Sequence, residues 1–179
     1  MLDMFVNAEL SVLRFLDSIH NPVTDRFFVF VTHLGDKGLL WIIIGIVFCV
    51  LKKYRRIGIT MLLALLMMLV IGNLTLKPII ARIRPYEHMG EIQLLIQRPT
   101  DFSFPSGHTF SSFAAACSVM FYDKKMGICA IILAILIAFS RLYLCVHFPT
   151  DVLCGLIMGI GTAYLSRFIV ENLKWTKNI

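Results

Sequence analysis

The sequence predicts an all-α, polytopic transmembrane helix bundle of five to six spans with amphipathic N-terminal helices, and three observations predict it. Of its 179 residues 58% are hydrophobic and only 16% charged, with a mean hydropathy of +0.81. A soluble chain of this length would expose far more Lys, Glu and Asp. The apolar residues gather in runs long enough, or nearly so, to cross roughly 30 Å of hydrocarbon. The basic residues cluster at the ends of those runs, where the positive-inside rule reads them as cytoplasmic.

The first element is an arm, residues 1–35. Leu2, Phe5, Val6, Leu10, Leu13, Leu16 and Ile19 recur at helical spacing opposite Asp3, Asn7, Ser11, Arg14 and Ser18, the pattern of an amphipathic helix lying in a membrane interface. Asn21-Pro22 reads as a cap and first helical position for a second piece, Val23 to His33. The run Phe27–Val31 is too short to cross, so an outer interfacial arm is favoured over a sixth span. His20 and His33 read as surface polar residues.

Five spans follow, near 37–53, 56–77, 105–122, 126–145 and 151–170, in a bundle of residues 36–172. The first is short, but Lys37 and Lys52 can snorkel. Lys52, Lys53, Arg55 and Arg56 form one basic cluster, Lys124 and Lys125 a second, and Arg167, Lys174 and Lys177 a third. Alternating the spans puts all three clusters on the cytoplasmic side. The loop 78–104, the start of the third span and the 140–151 turn then meet on the other.

Several classes are excluded. The formal charge of +6 is distributed over span ends and not over a soluble face, so no nucleic-acid partner is expected. Cys49, Cys117, Cys129, Cys145 and Cys154 lie in apolar runs without paired spacing, which suggests neither disulfides nor thiolate metal ligation. Asp3, Glu9, Arg14 and Asp17 interrupt the start of the chain, so a removable signal peptide is not expected. No repeat or linker divides residues 1–179, which read as one membrane-embedded domain.

Ionisable residues at span edges are costly unless they pair, face water or bind something charged. His147 precedes Pro149, a residue suited to a helix start, and Asp151 falls one turn further on. A carboxylate that accepts the Nδ1 proton leaves Nε2 free as a nucleophile, but taken alone the pair reads first as an ordinary polar pair closing a helix end. In Pro105-Ser106-Gly107-His108, Gly107 would let an anion approach free N–H groups at a helix start, with His108 in reach as a general acid. For that tetrapeptide alone, a plain helix cap with an interfacial histidine is the stronger reading. Lys77, Arg84 and Arg141 could hold a phosphoryl group and balance its charge. Lipid-headgroup anchoring suits Arg82 and Arg98 better. So many cations disfavour a divalent metal, and no metal or other cofactor is expected.

Together, Lys77-x6-Arg84-Pro85, Pro105-Ser106-Gly107-His108 and Ser140-Arg141-x5-His147-x3-Asp151 closely resemble the signature of the type 2 phosphatidic acid phosphatase superfamily. That family includes membrane lipid phosphatases, undecaprenyl diphosphate phosphatases, glucose-6-phosphatases and soluble haloperoxidases. The resemblance implies a six-helix core and a metal-free reaction, with His147 becoming phosphohistidine, Asp151 orienting it and His108 protonating the leaving group. It makes Lys77, Arg84, Ser106, Gly107 and Arg141 the phosphate-binding set, with Ser140 in support.

The expected function is hydrolysis of the terminal phosphate of a membrane lipid phosphate, at the cell membrane and on its extracytoplasmic face. Undecaprenyl diphosphate leads as substrate, ahead of phosphatidylglycerophosphate or phosphatidate. An anion-binding or transport protein is the non-enzymatic alternative.

Overall fold

The computed structural model describes residues 2–90 and 92–172, the side chains of Leu2 and Asp3 excepted. Lys174 and Lys177 of the third basic cluster lie outside them. Eight α-helices run along the described residues: α1 Leu2–Ser18, α2 Pro22–Leu34, α3 Leu39–Val50, α4 Arg55–Met68, α5 Lys77–Ile80, α6 Gly107–Met120, α7 Lys124–Tyr143 and α8 Pro149–Asn172.

The middle of the bundle is α6, which packs most extensively against α8 and α7 and then against α4. Thr109, Ser111, Ser112, Ser118 and the Ala114–Ala116 run are all buried in it. Small side chains permit this close approach, and α8 presents glycines to match. A Cβ at Gly155 would stand 2.8 Å from the Ser106 carbonyl oxygen, and one at Gly159 2.8 Å from that of Phe110. Trp41 of α3 donates its indole N–H to Ser112 Oγ at 3.0 Å, tying α3 to the same helix.

Among the described residues, four helical stretches, and not the expected five to six, qualify as spans by length and hydropathy alone. Pro22–Val50, Lys52–His88, Lys124–Tyr143 and Pro149–Asn172 are long and apolar enough to cross. The segment expected at 105–122 becomes α6, only 14 residues. Surrounded by other helices, it is selected for small size and hydrogen bonding more than for hydropathy. The expected first span is continuous with α2 across a short turn in which Lys37 and Gly38 are left-handed, at φ 53° and 66°.

Asn21 caps α2 as expected, its side-chain oxygen accepting the N–H groups of Val23 and Thr24. The apolar residues of α1 divide between two faces. Leu10, Leu13 and Leu16 pack on Cys145 and Phe148, whereas Met4, Phe5, Val12, Phe15 and Ile19 point outward. Asn7, Ser11, Arg14 and Ser18 make the third face.

Candidate active site

Three breaks in helical geometry aim the motif side chains. A π-helical stretch, Leu69–Leu76, widens the chain just before Lys77, which is buried at the start of α5. Ala81, at φ 47°, ends α5 and sends Arg82 and Arg84 back as extended chain. Cys145, at φ 54°, turns His147 inward between α7 and α8. Non-glycine residues pay for a left-handed conformation, so the surrounding packing must hold Ala81 and Cys145 there.

His147 is buried, four residues before the fully buried Asp151. Its Nδ1 lies 3.6 Å from Asp151 Oδ2. Ser103 stands at this junction, with Oγ donating to Asp151 Oδ2 at 2.5 Å and lying 3.5 Å from His147 Nδ1. The Phe148 N–H also donates to Oδ2, at 2.9 Å. On the other side of the ring, Nε2 faces Arg84 NH1 at 3.4 Å. The ring nitrogen away from Asp151 is thus turned toward the cations. Burial first, then Arg84, Arg141 and Lys77, pushes the His147 pKa well below the usual imidazole value, which keeps Nε2 unprotonated.

Lys77, Arg84, Gly107, His108, Arg141 and His147 all line one cavity of about 750 Å³. Arg141 is buried, its NH1 donates to Thr32 Oγ1, and its Nε has no partner among the described residues. An unpaired guanidinium N–H beside a cavity is a ready donor for an anion. Arg84 is anchored by the carbonyls of Val146 and Asp101 and by the Asp101 carboxylate, at 2.6, 2.8 and 2.6 Å. A Cβ on Gly107 would stand 3.9 Å from Lys77 Nζ, so its absence keeps that corner open. Ser106 is placed differently: its side chain caps α6 and meets Thr109 Oγ1 at 2.9 Å, away from the cavity. Ser140 Oγ donates to the Ile137 carbonyl within its own helix, at 2.6 Å.

Five participants escape sequence reasoning. Asp101 bridges Lys77 and Arg84; burial raises its pKa, but the Lys77 hydrogen bond and both cations bring it down to about 2. Asp36 accepts from His108 Nε2 at 3.0 Å and lies 2.8 Å from His33 Nδ1. His33, read as a plain surface residue, is therefore linked through Asp36 to His108. Ser103 is the fourth. Arg82 is the fifth, and the headgroup-anchor reading of it is overturned: it pairs with Asp151 and Glu9, both at 2.6 Å. Arg98 stays exposed at the cavity rim. Apart from the His33–Asp36 contact, which is three residues apart, these contacts join distant parts of the chain, and no local pattern announces them.

A helical membrane bundle with two histidines and three cations converging on one cavity defines a phosphoryl-transfer type of site. The model of the PAP2 superfamily matches residues 53–175, and the chain belongs to that superfamily of phosphatases. It is similar to the undecaprenyl-diphosphatase of Sulfolobus acidocaldarius, at 34% identity over 139 residues, 77% of this chain and 66% of that protein. Phosphatidylglycerophosphatase B of Bacillus subtilis is 31% identical over 184 residues, 94% of this chain and 86% of that one. The crystal structure of a transmembrane PAP2-type phosphatidylglycerolphosphate phosphatase from Bacillus subtilis superposes with a TM-score of 0.77 at 28% identity, covering 94% of this chain and 87% of that chain. The protein is a multi-pass membrane lipid phosphatase.

Proposed function

We propose that this phosphatase hydrolyses the terminal phosphate of a polyprenyl diphosphate, undecaprenyl diphosphate first, at the extracytoplasmic face of the cell membrane. The observation that carries the reading is the cavity itself. Its cationic end, with Lys77, Arg84 and Arg141, continues into an apolar wall of Ile42, Leu62, Leu65, Leu66, Met68 and Leu69. A phosphate fits the first part and a lipid tail the second. Binding energy from the tail can position the reacting group. The similarity to an undecaprenyl-diphosphatase supports the same substrate.

In this mechanism His147 Nε2 attacks the terminal phosphorus, forming the N–P bond as the P–O bond to the leaving lipid phosphate breaks. Arg84, Arg141, Lys77 and the N–H at Gly107 take the charge on the equatorial oxygens, and Ser106 and Ser140 hold the helix ends that present them. His108 gives its proton to the leaving oxygen, then takes one from the water that splits the phosphohistidine. Asp151 orients His147 and offsets the positive charge the ring acquires. Positive charge supplied by side chains makes the reaction independent of metal. Residues 1–179 act as one domain, with α1 in the outer interface and its Met4, Phe5, Val12, Phe15 and Ile19 face against lipid.

The test is turnover of undecaprenyl diphosphate, phosphatidylglycerophosphate and phosphatidate in mixed micelles at equal surface concentration, with His147→Ala as control. The highest kcat/KM is expected for the diphosphate. Phosphatidylglycerophosphate is the second reading, favoured by the relatives from Bacillus subtilis, and a clear preference for it would replace the first. Binding without phosphate release would indicate anion binding or transport instead.

A further inference from the structure

Beside the His147–Asp151 pair lies a buried charge network in which Arg82 and Glu9, neither of them a specified motif position, meet Asp151. Arg82 NH1 donates to Asp151 Oδ1 at 2.6 Å and to Thr150 Oγ1 at 2.7 Å, and its NH2 donates to Glu9 Oε2 at 2.6 Å. Glu9 Oε1 accepts the Thr150 N–H at 2.9 Å and the Thr150 hydroxyl at 2.6 Å. The guanidinium lies over the Phe148 ring, 3.8 Å from its centroid. Glu9 is 5% exposed and Asp151 0%. Buried carboxylates need this degree of satisfaction, which a lone salt bridge would not supply.

We propose that Arg82 and Glu9 are positioning residues for the His147–Asp151 pair, so that α1 is a working part of the site. The inference rests on the phosphohistidine reading above. Asp151 uses its two oxygens for different tasks. Oδ2 faces His147 and accepts from Ser103 and Phe148, while Oδ1 is held by Arg82. Two-sided anchoring prevents the carboxylate from rotating away from the imidazole. Charge explains Glu9. Arg82 alone would cancel the negative charge of Asp151, leaving nothing to stabilise His147 as it becomes cationic. With Glu9 present, the Glu9–Arg82–Asp151 cluster keeps one net negative charge beside the ring.

Glu9→Gln tests the electrostatic role, because it preserves shape and the acceptor for Thr150 while removing the charge. The expected result is a kcat lower by about 10- to 100-fold, the range for partners that orient a functional group from behind. KM and inhibition by vanadate should stay within about twofold, since neither Glu9 nor Arg82 lines the cavity, and acid-quenched phosphoenzyme should form more slowly. Arg82→Lys should behave similarly, keeping the charge but losing the two-armed geometry.

Unchanged kcat in Glu9→Gln would overturn the proposal, as would a loss confined to KM or vanadate affinity. Thermal unfolding in detergent is measured alongside. If Glu9→Gln is not recovered folded, Arg82→Lys carries the test, and an unchanged kcat there would also overturn it. A wild-type protein that forms no phosphoenzyme on any lipid phosphate would instead defeat the underlying reading.

Discussion

His147 owes its readiness to its surroundings. Burial and the Arg84, Arg141 and Lys77 charges all disfavour the imidazolium, so protonation is postponed to lower pH and the nucleophilic form persists. The acid limb of kcat/KM is therefore expected below about 6.5, the ordinary histidine value; a limb at or above that value would contradict the assignment. In the proposed mechanism this ring attacks phosphorus, so His147→Ala should abolish phosphate release at matched protein levels. Asp101 works in the opposite sense. Its carboxylate occupies Lys77 and Arg84, the cations proposed to hold phosphate, and an arriving anion must compete with it. Asp101→Asn keeps the shape and removes that competition. Its carboxylate is half-exposed, so the gain is modest, about 1 kcal/mol or roughly a fivefold tighter vanadate inhibition. Weaker inhibition would mean that Asp101 orients the cations more than it competes with substrate.

Helix α6 carries the consequences of packing at the next scale. Its Gly155 and Gly159 partners on α8 let the two backbones meet where the Ser106 N–H donates to the Asp151 carbonyl, at 3.1 Å. Gly159→Leu would force that interface apart and is expected to destabilise the protein by about 1–3 kcal/mol, with a fall in kcat as α8 moves Asp151. Gly161→Leu is the control, since nothing lies within 4 Å of a Cβ there. Equal thermal midpoints for the two variants would argue against the close-packed interface. The same packing explains what hydropathy misjudged. Helices α7 and α8 face lipid and read clearly as long apolar runs, whereas α6 is enclosed, short and rich in Ser and Ala. A count based on apolar length therefore went astray at that helix and at the left-handed turn joining α2 to α3.

On the scale of the whole molecule the two ends differ in chemistry. The motif residues that meet in the cavity were legible because each short segment has its own fixed spacing. Glu9, Asp36, Arg82, Asp101 and Ser103 were not, because each acquires its role only through a contact that folding creates, such as Glu9 with Arg82 and Thr150. At the opposite end Lys52, Lys53, Arg56, Tyr122 and Asp123 surround a second, smaller cavity, and Arg167 lies over the Phe121 ring at 5.1 Å. The basic clusters that predicted orientation from separate stretches of chain therefore come together in space. Positive residues are retained on the cytoplasmic side, so the phosphate-binding end should face outward. Single cysteines at Lys53 and Gln93, in a background lacking the five native ones, test this. Both positions are exposed, Lys53 in the basic turn and Gln93 in the loop that leads to the site. An impermeant thiol reagent applied to intact cells should label Gln93→Cys at once and Lys53→Cys only after the membrane is opened. Reversed labelling would put the cavity on the cytoplasmic side and with it the substrate's phosphate, and labelling of both from outside would discard the arrangement of spans.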